Sequence, residues 1–360
     1  MLHHIEVTNF RGLQKFRMEQ LGRVNLLVGT NNCGKTSVLE AISILVEQGS
    51  WDPLWRSLSR RGETHNNEEE LDIAHLFHGH SVTPGALFTI DGRNGEGGRR
   101  IEVLIRERGP KDQVHHHRSG RWSENEEDMF MGPSYLSMTS TRDSVAQEFQ
   151  YPISRRGGIS NVPYMLSQEL HDGEAAVLFV TTEALSREQV SFFLEEAMLT
   201  PEEDTLLAAL RTIEPGIERI APVGARRDFP GRAHGGVAVK LAGQRVPIGN
   251  LGDGIWRLLG IALALVKARG GVLLVDEIDT GLHYSVLERM WRLVHETAKR
   301  LDVQVFATTH SRDCYESLAA IAQPTGHDVT IQRIERGKPL AVAFSEAEIV
   351  QAAQRGIEVR

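Results

Sequence analysis

One segment, Gly29-Thr30-Asn31-Asn32-Cys33-Gly34-Lys35-Thr36, constrains this chain more than any other. It matches G-x-x-x-x-G-K-[ST], the phosphate-binding P-loop, at every fixed position. The flanks agree with it. Val24-Asn25-Leu26-Leu27-Val28 is a short aliphatic run that predicts a buried strand, and Ser37 to Val46 carries helical apolar spacing. The loop therefore joins a strand to a helix N-terminus. There, glycines let the backbone wrap around phosphate, and exposed amides with the helix dipole favour an anion. In such a loop Lys35 reaches the β- and γ-phosphates and the Thr36 hydroxyl meets Mg²⁺. The segment predicts a protein that binds a nucleoside triphosphate.

A second cluster of signals lies more than 200 residues downstream. Gly254 to Ala268 has amphipathic spacing, Gly271 to Asp276 reads as a buried strand, 283–300 as a helix, Val303 to Thr308 as another buried strand and 311–322 as a helix. Strand–helix alternation predicts a parallel sheet covered on both faces, which binds ligands beyond the carboxyl ends of its strands. Leu273-Leu274-Val275-Asp276-Glu277 is an apolar strand ending in two carboxylates, a Walker B pattern. Asp276 there can hold Mg²⁺, and Glu277 can take a proton from an attacking water. The next strand ends Thr308-Thr309-His310-Ser311, so His310 should emerge at the same edge, where a neutral imidazole could sense the γ-phosphate.

The remaining chain is less definite. Residues 2–28 read as two strands around a turn, 164–213 as helical with a start near Pro201, and 217–248 as antiparallel strands turning at Gly231 to Gly236. From 48 to about 170, short strand-like runs (Ala86 to Ile90, Arg100 to Ile105, Tyr135 to Met138) alternate with loops. Val329 to Ile334 and Ala341 to Phe344 read as final strands before a short helix. Two cysteines, Cys33 and Cys314, make neither a disulfide framework nor a zinc site. No apolar run suits a membrane span, and the N-terminus lacks a signal-peptide layout, so a cytoplasmic setting is expected. A formal charge of −8 argues against a surface that coats nucleic acid. A local groove built from Arg60-Arg61, Arg99-Arg100, Arg155-Arg156 and Arg226-Arg227 stays open, with ordinary solvated surface the blander reading. His65-Asn66-Asn67 and His115-His116-His117 lack the cysteines or acidic pattern that nuclease or metal chemistry would need.

Taken in order, Asn9-Phe10-Arg11-Gly12, the P-loop, Leu251-Gly252-Asp253-Gly254, Asp276-Glu277, Asp279-Thr280-Gly281-Leu282-His283 and Thr308-Thr309-His310-Ser311 resemble the ABC-type ATPases of the SMC, RecF and OLD group. The likeness is greatest to stand-alone AAA15/AAA21-like members, and covers 1–46 and 246–335 well. It implies an α/β, ABC-ATPase-like P-loop NTPase with a mixed central sheet, an antiparallel β subdomain and a helical lobe. The expected core is 1–47 with 216–360, carrying 48–215 as an insertion of β-rich and helical character.

The resemblance further implies ATP and Mg²⁺ as cofactors. Thr36 and Asp276 would hold the metal, with Glu277 the catalytic base and His310 the switch histidine. Nucleotide contacts would come from Asn31, Asn32, Gly34, Lys35, Thr36, Ser37 and Arg11. From a second copy would come the signature residues Gly252, Asp253 and Gly254 and the D-loop Asp279, giving an ATP-dependent homodimer or higher homo-oligomer. The signature departs from the transporter form Leu-Ser-Gly-Gly-Gln. It lacks the serine hydroxyl and adds the Asp253 carboxylate, which Arg257 or a metal would have to offset. A Q-loop glutamine is not evident: Gln48 comes too soon and Gln113 lies in a loop-like stretch. Neither a Cys-x-x-Cys coiled-coil tip nor a TOPRIM nuclease domain is expected. The implied function is an ATP-driven switch acting on a separate effector, such as a TOPRIM-like or other nuclease in antiphage defence. The alternative is a RecF-like repair ATPase acting directly on DNA.

Overall fold

The computed structural model describes residues 1–48, 51–65, 70–95, 97–109, 131–160, 177–226, 234–323 and 325–358. The chain begins with β1 (His4–Phe10), β2 (Leu13–Met18), β3 (Val24–Val28), α1 (Lys35–Val46), α2 (Asp52–Arg60) and β4 (Glu70–Asp72). It continues with β5 (Leu87–Asn94), β6 (Gly97–Glu107), β7 (Met131–Arg142), β8 (Val145–Ser154), β9 (Gly158–Ser160) and β10 (Val177–Val180). Then come α3 (Arg187–Ala197), α4 (Glu202–Arg211), β11 (Ile217–Arg226), β12 (His234–Leu241), β13 (Gln244–Pro247), α5 (Asp253–Lys267) and β14 (Val272–Val275). The last elements are α6 (Tyr284–Leu301), β15 (Gln304–Thr308), α7 (Arg312–Ala319), β16 (Val329–Arg333), β17 (Val342–Phe344) and α8 (Glu346–Arg355). Chain contacts divide the molecule into two compact units. One comprises Met1–Gln20, Asn32–Glu174 and Ile334–Val342; the other Leu21–Asn31, Ala175–Arg333 and Ala343–Arg360.

The first unit is built on a six-stranded sheet in the order β2-β1-β5-β6-β7-β8, antiparallel throughout. α1 lies against it, and Gly92 of β5 explains how closely. A Cβ at that position would stand 2.4 Å from Leu45 Cδ2 on the helix, so glycine makes room for the apolar side chain. Nearly every side chain of α1 is buried, polar ones included. The N-terminal segment contributes an extra strand to the two expected: Leu13–Met18 sets buried Leu13, Phe16 and Met18 among exposed Gln14, Lys15 and Arg17 and pairs with β1.

The second unit carries the sheet β10-β14-β15-β3-β16-β17. β10, β14, β15, β3 and β16 run parallel, in register Val275↔Ala307 and Thr308↔Leu27 where β14, β15 and β3 meet. β3, β14 and β15 are buried at every residue, as strands covered on both faces must be. α5 contributes an almost continuous apolar surface to that core, from Ile255 to Leu265. The stretch read as helical from 164 to 213 differs in part. Residues 161–176 lie outside the described residues, and Val177–Val180 is a strand paired with β14. α3 and α4 follow, the second opening after Pro201 as expected. β11, β12 and β13 form the expected antiparallel sheet, while 227–233 at its turn lie outside the described residues.

Candidate functional site

Three neighbouring parallel strands of the second unit end at one edge of its sheet, and each delivers functional residues there. β3 leads into the P-loop, β14 into Asp276 and Glu277, and β15 into Thr308, Thr309 and His310. The P-loop backbone takes left-handed conformations at Gly29 (φ 147°), Asn32 (φ 58°) and Gly34 (φ 103°). Such turns aim successive amides inward, which is how a loop of this kind cradles an anion. Asn31 and Asn32 are exposed.

A hydroxyl organises the carboxylate pair. Thr308, fully buried, donates from Oγ1 to Asp276 Oδ1 at 2.6 Å and accepts the Glu277 amide at 2.8 Å. The Ile278 amide adds a bond to the Thr308 carbonyl at 3.0 Å. These contacts hold Glu277 at φ 47°, a left-handed conformation uncommon outside glycine. Glu277 Oε1 lies 3.3 Å from His310 Nε2, both side chains about two-fifths exposed (41% and 38%). Next to them Thr309 Oγ1 donates to Asp279 Oδ1 at 2.6 Å and caps the Ser311 amide at 3.0 Å. The carboxylates and His310 thus share one strand-end edge, as their positions in the sequence predicted.

For Asp253, the added carboxylate of the signature, the sequence offers Arg257 or a metal as the offsetting charge. Instead the buried guanidinium donates to the carbonyls of Thr181, Asp276 (2.8 Å) and Glu277 (2.9 Å). Burial lowers its pKa, and the charges of Asp276, Asp279 and Glu277 act in the opposite direction. α5 is therefore tied through one side chain to the turn that presents both acids. Asp253 itself is exposed, and Gly252 at φ 93° turns the chain into the helix. Gly254 has a steric reason: a Cβ there would meet the Gly281 carbonyl oxygen at 2.9 Å. The signature turn and the D-loop are packed backbone to backbone.

Lys35, Thr36 and Ser37 open α1 in the first unit. Lys35 is buried, with Nζ 3.8 Å from Cys33 Sγ. Arg11 is also buried, among Glu40, Glu63 and Ser57. Of the arginine pairs, Arg61 binds Glu40, Arg99 donates to the Val46 carbonyl, and Arg100 pairs with Asp91 and Glu102. Arg227 lies outside the described residues. Gln48 closes α1 with a 3.5 Å contact to the Thr141 carbonyl; Gln113, Asn66, Asn67 and His115 to His117 are outside the described residues. Among the described residues no group of three or more His, Cys, Asp or Glu could hold a metal ion, and no helix is long and apolar enough to cross a membrane.

A parallel sheet that sends one strand into a P-loop and its neighbours into paired carboxylates and a histidine has the layout of a P-loop NTPase. Residues 1–130 match the family described as "AAA ATPase domain", and 238–313 match "AAA domain, putative AbiEii toxin, Type IV TA system". An ATP/GTP phosphatase of Helicobacter pylori is 23% identical over 344 residues, spanning 88% of this chain and 87% of that protein. The DNA replication and repair protein RecF of Clostridioides difficile is 36% identical over 76 residues, 21% of this chain and 19% of its own. The solved SMC head domain from Thermotoga maritima aligns over 96% of this chain and 98% of its own, at 13% identity and a TM-score of 0.42. Over 1–130 and 238–313 the chain is thus similar to AAA ATPase domains.

Proposed function

We propose that the chain is an ATP-hydrolysing switch that dimerises around ATP and controls a separate effector, a nuclease of a bacterial antiphage system. The observation that carries the ATPase part is the Thr308 hub, which presents Asp276 and Glu277 together at the edge where β3 enters the P-loop. Lys35 and the α1 N-terminus bind the triphosphate. Glu277 accepts a proton from the attacking water. His310, now against Glu277, releases it when a γ-phosphate offers another partner. Thr36 and Asp276 supply the hard oxygen donors that Mg²⁺ prefers, and Thr308 holds Asp276 in a fixed orientation. When bound, that ion neutralises charge developing on the phosphates.

The dimer reading is supported by the signature. Gly252 and Asp253 are exposed at the N-terminal end of a 15-residue helix, a place suited to an anion presented from outside the unit. The effector reading draws on the toxin–antitoxin description of the family matched by 238–313. The OLD-type partners of such ATPases give its chemistry by analogy. A Glu277→Gln variant is expected to bind ATP, stop turning over and accumulate as a dimer or larger species in size-exclusion chromatography. Turnover at the wild-type rate would refute the base assignment. ATPase activity stimulated by DNA alone, with salt-dependent binding, would replace the separate effector by direct action on DNA.

A further inference from the structure

The first unit holds a buried ion cluster beside the P-loop helix that no motif announces. Glu40 of α1 is 3% exposed, and both its carboxylate oxygens are engaged by arginines. Arg11 Nε lies 2.7 Å from Oε2; Arg61 places Nε 2.9 Å from Oε1 and donates from its second nitrogen to Oε2 at 3.1 Å. Arg11 also binds Glu63 Oε1 at 2.8 Å and Ser57 Oγ at 2.8 Å. Its backbone is left-handed (φ 50°), with its amide on the Leu76 carbonyl and its carbonyl against His78 Nδ1. Arg11 is thus fixed from both backbone and side chain.

The β1–β2 turn meets the start of α1 at a second point. Leu13 Cδ2 stands 3.0 Å from where a Cβ of Gly34 would be. Glu40 follows Thr36 by four residues and so shares its helix face. A carboxylate gripped at that position fixes the rotation of α1 about its axis as well as its advance along it. Those two coordinates decide where the Lys35 ammonium and Thr36 hydroxyl stand.

We propose that Glu40 is a positioning residue for the nucleotide, and that Arg11 acts through Glu40 rather than by touching the nucleotide. Arg61 completes the clamp from the end of α2, where its donor group also comes within 3.5 Å of Ser37 Oγ in the first turn of α1. This rests on the ATP-binding reading above.

The test is a double-mutant cycle on the full chain, read as the dissociation constant of ATP in the presence of Mg²⁺. Glu40→Gln and Arg11→Met are each expected to weaken ATP binding about tenfold, as loss of a group that orients a ligand-binding residue does. The double variant is expected to be no weaker than the poorer single one. An Arg11→Met loss that persists in full in the Glu40→Gln background would show direct contact with nucleotide and overturn the proposal. So would a lowered urea midpoint with unchanged ATP affinity in the folded protein. Arg61→Lys keeps the charge but not the two-pronged grip. It is expected to fall between wild type and Glu40→Gln, and keeps the test open if that variant does not fold; wild-type affinity would overturn the proposal. Absence of ATP binding by the wild-type chain would instead refute the nucleotide reading on which all this stands.

Discussion

Replacing Thr308 by valine removes one hydroxyl and little else, yet it should disturb both folding and metal dependence. Thr308 is fully buried, so the added methyl enters space shaped for oxygen. Two interactions vanish: the 2.6 Å donation to the Asp276 carboxylate and the 2.8 Å acceptance from the Glu277 amide. A hydrogen bond to a charged group contributes about 1.5–3 kcal/mol, and an orphaned buried amide costs about 1–3 kcal/mol. The methyl returns about 1 kcal/mol. The balance is a destabilisation of about 1.5–5 kcal/mol, measurable as a shifted urea midpoint followed by tryptophan fluorescence. Buried Trp291 of the same unit, bonded to the Cys314 carbonyl at 2.9 Å, is a suitable reporter. Because Asp276 loses its orienting donor, the Mg²⁺ concentration for half-maximal ATPase rate should rise about 10- to 100-fold. Thr308→Ser, which keeps the hydroxyl, should retain wild-type Mg²⁺ dependence. A valine variant within about 1 kcal/mol of wild type, with its Mg²⁺ dependence unmoved, would refute the hub assigned to Thr308.

Two further outcomes are expected. Arg257→Met strands three carbonyls that one guanidinium now serves, so it should cost about 2–4 kcal/mol in urea unfolding and depress turnover more than ATP affinity. Arg257→Lys, able to reach fewer of them, should fall between. Burial raises the Glu47 pKa more strongly than Arg56 and Ser43 lower it. The folded chain therefore holds a proton that the unfolded chain releases. Stability from this group is full below the ordinary value of 4.5 and is lost as pH rises through the folded value. Glu47→Gln should flatten that decline in urea midpoints measured from about pH 4 to about pH 7.

The elements legible in the sequence are those whose signal is local. β3, β14 and β15 are continuous apolar runs because both faces of the sheet are covered, and the P-loop glycines mark turns that need left-handed backbone. β2 leaves no period-two signal, because its burial repeats irregularly, with Lys15 and Arg17 exposed between apolar residues. β10 gives no strand signal of its own, because four apolar residues, three of them half-buried, take their identity from pairing with β14.

Side-chain partnerships divide the same way. Asp276, Glu277 and His310 could be placed because each closes a readable strand, and a parallel sheet brings such ends to one edge. The groups that hold them could not, since their partners lie far along the chain. Thr308 reaches Asp276 across 32 residues, and Arg257 reaches Thr181 across 76. Arg257 shows the physical rule. Asp253 is exposed and solvated, whereas the three backbone carbonyls that Arg257 reaches have lone pairs to satisfy in the interior. A buried guanidinium goes where desolvated acceptors are most numerous. By that rule Arg257 makes the turn bearing Asp276 and Glu277 dependent on the helix that begins at the signature. A displacement of Gly252 to Gly254 by a ligand would then be felt at the carboxylates of the same unit.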